Sequence, residues 1–116
     1  IVQKLAANPD AYGFFGYSYY LANKDKIKAA AINGVKPSLE GIQDYSYPIA
    51  RPLFFYAKKA HVGVVPGLKE FLDAFTSKKA MGSRGYLTDI GLVPLASDKY
   101  KVTRTAAKDL VTINLK

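Results

Sequence analysis

The sequence predicts an α/β domain, and three observations carry that reading. The first is Leu53-Phe54-Phe55-Tyr56-Ala57, an unbroken apolar run entered through Pro52. A strand wet on one face alternates apolar and polar residues, whereas a strand covered on both faces does not. Five residues are too few for an ordinary helix, so the run predicts a central buried strand. The second is Leu68, Phe71, Leu72 and Phe75, spaced as one apolar stripe of a helix. The third is a change of character near residue 47. Residues 1–47 carry a net charge of +1 and residues 48–116 carry +7, within a chain total of +8.

In chain order, Ile1 to Ala7 has the spacing of a helix end, which Asn8-Pro9-Asp10 stops because proline cannot continue a helix. Phe14 and Phe15 between Gly13 and Gly16 predict a short buried strand. A helix follows from Tyr17 or Ser18 to near Asn23, with Ser18 as a candidate cap. Lys26 to Val35 predicts an edge strand, Lys26 and Lys28 alternating with Ile27 and Ala29. It ends in a turn at Asn33-Gly34, a pair that tolerates positive φ. Ser38 or Pro37 opens a short helix through about Gln43.

After the central strand, His61 to Val65 reads as a loop. Pro66 suits the first turn of the amphipathic helix, which ends near Ser77. Ser77 to Gly85 is polar and contains two glycines. Tyr86 onward predicts a short helix closed by Gly91, then an extended Leu92-Val93-Pro94-Leu95. From Asp98 the chain is charged, with weak helical character over Thr105 to Val111. The last few residues are expected to be poorly ordered.

Composition narrows the function. The chain of 116 residues is long enough for one core, and no run approaches the ~20 apolar residues of a spanning helix. There is no Cys, hence no disulfide framework and no thiolate metal site. One histidine, His61, cannot assemble an ordinary zinc site, and no partner for it as a general base is identifiable. Phosphate-loop, dinucleotide and nucleophile-elbow motifs are absent. No catalytic residue, metal ligand or cofactor is therefore assigned, and no enzyme is expected. The basic charge and the nine Tyr and six Phe raise an alternative, a nucleic-acid-binding module that stacks bases on aromatics. The aromatics run consecutively or lie on an amphipathic helix, which favours core packing, so no nucleic acid is expected. Arg51 stands just before the buried strand; its planar donors suit a structural ion pair or an oxyanion.

The succession FFGYSYYLAN, Lys26-Ile27-Lys28-Ala29, Ser38-Leu39-Glu40-Gly41-Ile42, YPIARPLFFYAKKAHVGVVPGLKEFLDAFTS and GYLTDIGLVPL resembles the C-terminal portion of periplasmic phosphate-binding proteins. These are the solute receptors of high-affinity phosphate ABC importers. The likeness covers about residues 1–98. It implies a type II periplasmic-binding-protein-like fold of two α/β lobes, of which this chain is a C-terminal fragment cut from a larger protein. Residues 1–46 would end the second lobe, 47–52 would form the interlobe crossing, and 53–116 would be the returning part of the first lobe. The implied function is non-catalytic binding of inorganic phosphate in the periplasm or at the cell surface, for delivery to a membrane permease. The implied partners are that permease and either the missing N-terminal part of the receptor or another copy of the chain. Receptors of this kind hold phosphate with hydroxyls, an Arg, an acidic acceptor and backbone amides at helix starts, which supply donors without a counter-ion. Their Ser-Gly-Thr type loop has no equivalent here, and Ser83-Arg84-Gly85 does not match it in context. The resemblance leaves Gly16, Tyr17 and Ser18 at a strand-to-helix turn, and Arg51 at the crossing, as residues that line or support the cleft.

Overall fold

A computed structural model describes residues 1–114. Within it the chain divides into two compact units. Unit 1 comprises Ile1–Arg51 and Ile90–Val93; unit 2 comprises Pro52–Asp89 and the chain from Pro94 onward.

Unit 1 is built from short helices and turns. Helix α1 (Val2–Ala6) ends at Ala7, ahead of Pro9. Residues 11–16 are irregular, so the strand expected at Gly13–Gly16 is not formed. Helix α2 (Tyr17–Leu21) follows, and its N-cap is Gly16 rather than Ser18. Lys26–Ala31 forms no strand ladder with any described residue. The expected edge strand reduces to one isolated bridge, Ile32 to Val35, with reciprocal backbone hydrogen bonds of 2.9 and 3.0 Å. Between them Asn33 (φ 51°) and Gly34 (φ 80°) make the two-residue turn that this dipeptide favours. Helix α3 (Leu39–Gln43) starts as expected: the Ser38 Oγ accepts from the Gly41 amide at 2.9 Å.

Unit 2 holds the packed core. Helix α4 (Leu68–Phe75) carries the anticipated stripe and buries Leu72, with Leu68 and Phe75 half-buried. Gly67 (φ 80°) is its N-cap, so Pro66 stands one residue outside the helix instead of in its first turn. The left-handed conformation at that cap needs a residue without a Cβ. Upstream, the expected loop at His61–Val65 is preceded by a 3₁₀ turn (Lys59–His61) and closed by a Val62–Val65 bridge.

The polar stretch after Ser77 is structured. Ser77 caps α5 (Lys78–Met81), accepting from the Ala80 amide at 3.3 Å, and Ala80 is fully buried. Gly82 and Gly85 close this corner because a Cβ on either would collide with the carbonyl of Lys78 or Ala80. Helix α6 (Tyr86–Asp89) follows, and Gly91 (φ 96°) stops the chain soon after it, as the sequence indicates.

The largest departure in helix content is α7 (Ser97–Lys108), twelve residues beginning well before the expected Thr105. Its apolar content is low, so periodicity hides it. It is held by particulars: Asp98 in its first turn and Lys108 in its last suit the helix dipole, and Tyr100 is buried. The Tyr100 hydroxyl donates to the Thr76 carbonyl at 3.0 Å, and the Thr76 hydroxyl donates to the Leu72 carbonyl at 2.8 Å. Leu72, Thr76, Ala80 and Tyr100 thus form the buried centre of unit 2. The expectation of a poorly ordered C-terminal end falls partly on residues 115 and 116, outside the described residues.

The α/β expectation is met only on its helical side. Among the described residues there is no strand element, only the two isolated bridges. Leu53–Ala57 forms no regular element, and it is not buried: Leu53 is 81% exposed, Phe54 70% and Phe55 51%. A strand is buried by its ladder neighbours, and none of the described residues supplies one.

Candidate functional site

The turn at Gly16–Ser18 is well defined. Gly16 is extended (φ −62°, ψ 146°) and its carbonyl accepts from the Tyr19 amide at 3.0 Å, which opens α2. Tyr17 and Ser18 are half-buried; the Tyr17 ring lies 5.9 Å from Tyr20 one turn on. Ser18 packs against the backbone of Gly91, where a Cβ would overlap the Ser18 Cβ. Both belong to unit 1, so a residue from late in the chain walls the turn.

Arg51 is exposed at the last position of the first segment of unit 1. Among the described residues it makes no ion pair, so the structural-salt-bridge reading of Arg51 is not met. No hydrogen bond or ion pair among them joins it to Gly16, Tyr17 or Ser18 either. The arginine that does make an ion pair is Arg104, whose guanidinium donates to the Asp73 carboxylate at 3.2 Å and to the Asp73 carbonyl at 3.3 Å.

Sequence reasoning missed one concave feature of unit 1, a cavity of about 320 Å³. Tyr20, Lys24, Lys28 and Lys36 line it together with Ile27 and Pro37. The Lys24 ammonium sits 5.8 Å from the Tyr20 ring centroid, a cation–π contact. Among the described residues no carboxylate pairs with these three lysines, so the pocket wall is electropositive. The spacing of Lys24 and Lys28 was visible in the sequence; the approach of Lys36 across the Asn33-Gly34 turn was not.

Unit 2 carries two groups of aromatic contacts. Phe55, Phe71 and Phe75 form a mutual cluster with ring separations of 5.6, 5.1 and 5.8 Å. Phe54 and Tyr56 stack on each other at 5.9 Å. No described helix is long and apolar enough to cross a membrane.

Comparison with known proteins adds a family. The family described as PBP superfamily domain matches residues 2–79. A protein named Phosphate-binding protein PstS from Staphylococcus saprophyticus is 28% identical over 116 residues, covering 96% of this chain and 35% of its own. Its namesake from Staphylococcus haemolyticus is 33% identical, covering 87% of this chain and 32% of its own. Protein SphX from Synechococcus elongatus is 36% identical, covering 86% of this chain and 30% of its own. The chain therefore spans about a third of the length of the curated relatives it matches. No solved structure matches it.

Proposed function

The chain belongs to the PBP superfamily, and from that premise we propose that it is the C-terminal portion of a receptor that binds inorganic phosphate without catalysis. The receptor delivers phosphate to the membrane permease of an ABC importer, and it works in the periplasm or anchored at the cell surface. One observation carries the reading: relatives named for phosphate binding align along nearly the whole chain. The division of the chain at Arg51 and Pro52 supports assigning the two sides to different lobes, with the boundary at the proposed crossing.

In this reading Gly16, Tyr17, Ser18 and Arg51 line or support the phosphate cleft. Ser18 offers a hydroxyl and Arg51 an uncommitted guanidinium, two donor types suited to a dehydrated oxyanion. The principal phosphate ligands are contributed by the rest of the receptor, which is the partner this chain requires.

Isothermal titration calorimetry on the polypeptide at the full length of its relatives tests the proposal, with sulfate as control. Phosphate is expected to bind at least about tenfold more tightly than sulfate, a difference of ~1.4 kcal/mol. Equal affinity for the two anions, or none for phosphate, would overturn it.

A further inference from the structure

We propose that the lysine-lined cavity of unit 1 is a second anion site, which takes a compact polyanion of the condensed-phosphate kind. It is distinct from the residues assigned to the phosphate cleft: none of Gly16, Tyr17, Ser18 and Arg51 lines it.

The walls are held by hydrogen bonds that leave the lysines uncommitted. After α2 the chain turns at Asn23, whose carbonyl accepts from the Lys26 and Ile27 amides at 3.0 and 3.1 Å. Lys24 lies inside that turn. The Asn23 side chain donates back to the Tyr19 carbonyl at 2.9 Å, which ties the turn to the helix that carries Tyr20. The next segment brings in Lys28, and the Tyr47 hydroxyl donates to the Ala30 carbonyl at 3.4 Å. The Ile32–Val35 bridge then reverses the chain and returns Lys36 and Pro37 to the same cavity. A frame fixed in advance binds with less ordering cost.

Charge decides the sign of the ligand. No acidic residue lines the cavity, and none of its three lysines makes an ion pair with a described residue. Like charges gathered without a counter-charge raise a local field that an anion relieves. Each ammonium also brings three donors and no acceptor, so the wall suits a ligand dense in acceptor oxygens.

Size and side-chain type decide the class. Lysines are point charges without a planar fork, so they read charge density more than the outline of one carboxylate or phosphate. The cavity of about 320 Å³ lies at the lower end of ligand pockets and exceeds what one tetrahedral oxyanion fills. Several linked phosphoryl groups match both the volume and the three charges. A nucleotide has less to gain. Tyr20 is the one aromatic residue lining the cavity. Its ring is already engaged by the Lys24 ammonium at 5.8 Å and by Tyr17 at 5.9 Å, so it is a poor platform for a base.

Isothermal titration calorimetry on the polypeptide at the full length of its relatives tests this, with orthophosphate held at saturation to occupy the cleft. Tripolyphosphate is the probe, and citrate and ATP are the comparators. Tripolyphosphate is expected to bind at least about tenfold more tightly than citrate and no more weakly than ATP. Lys24→Gln, Lys28→Gln and Lys36→Gln should each weaken it by about two- to fivefold, and the triple variant by about tenfold or more. Lys26→Gln removes the same charge from the same segment but lies outside the cavity, and should change the affinity by less than about twofold. No tripolyphosphate binding would overturn the proposal, as it would if carboxylates elsewhere in the polypeptide already filled the cavity. An equal loss in Lys26→Gln would overturn it too, by tracing the binding to net charge alone. Tighter binding of citrate or ATP would overturn the ligand class. Orthophosphate titrated into the same protein by itself tests the cleft separately. Failure there sinks the functional assignment and leaves this site standing.

Discussion

The Tyr100 hydroxyl donates to the Thr76 carbonyl at 3.0 Å, tying α7 to the end of α4 across twenty-four residues of sequence. Both residues are buried, so the carbonyl has no water to replace this donor. Tyr100→Phe should therefore destabilise unit 2 by about 1–3 kcal/mol, and Tyr100→Ala by about 3–5 kcal/mol as a cavity is added. Urea unfolding checks both; equal midpoints for Tyr100→Phe and the parent would show the bond to be dispensable.

The Arg104–Asp73 pair should behave differently although it joins the same two helices. It lies at the surface, where solvent and salt screen it. Arg104→Ala is expected to cost under about 1 kcal/mol, and the loss should shrink further at high salt. A salt titration of the melting temperature of both proteins reads this directly.

Ser38 caps α3 with a 2.9 Å bond to the Gly41 amide. Ser38→Ala should remove about 0.5–2 kcal/mol of local stability, and Ser38→Asp should restore most of it. The readout is exchange of the α3 amides; an unchanged rate in Ser38→Ala would mean that Tyr47, whose amide donates to the Gly41 carbonyl at 2.9 Å, holds the helix on its own.

Gly91 combines φ 96° with a direct approach to Ser18. Gly91→Ala faces both backbone strain and overlap, together about 1–3 kcal/mol, and must displace the Gly16–Ser18 turn. If that turn supports the phosphate cleft, the full-length Gly91→Ala receptor should bind phosphate more weakly while remaining folded by circular dichroism. Unaltered affinity would take the turn out of the site.

Arg51→Ala in the full-length receptor should lower phosphate affinity by about tenfold or more, the scale of one charge-assisted hydrogen bond. Arg51→Lys keeps the charge but loses the planar fork and should recover only part of it. Calorimetry on the three proteins decides whether Arg51 belongs to the story.

Local signals were readable before the fold. Ser38, the Asn33-Gly34 turn, the Leu68–Phe75 stripe and the stop at Gly91 each depend on residues close together in the chain, and each stands where the sequence put it. Helix α7 was missed because its stability comes from Tyr100 and Arg104 reaching residues of α4 and its C-cap, not from a stripe. The strand expected at Leu53–Ala57 is neither formed nor buried among the described residues, because a strand is made and buried by neighbours that periodicity cannot supply. At the candidate site, Gly16 was recognised as a turn. Its wall at Gly91 and the convergence of Lys24, Lys28 and Lys36 depend on chain reversal, which residue spacing does not encode.

Because Ile90–Val93 belongs with Ile1–Arg51, the more N-terminal unit is discontinuous along the chain. A recombination breakpoint at residue 51 would not transfer it whole: the donor segment would arrive without the glycine that walls Ser18. The two units are thus bound to a common inheritance, and exchanging one between homologues requires two crossovers flanking residues 90–93 as well as the obvious one. Chimaeras that carry this short return segment should keep the native Ser18 environment, whereas single-crossover chimaeras should lose it.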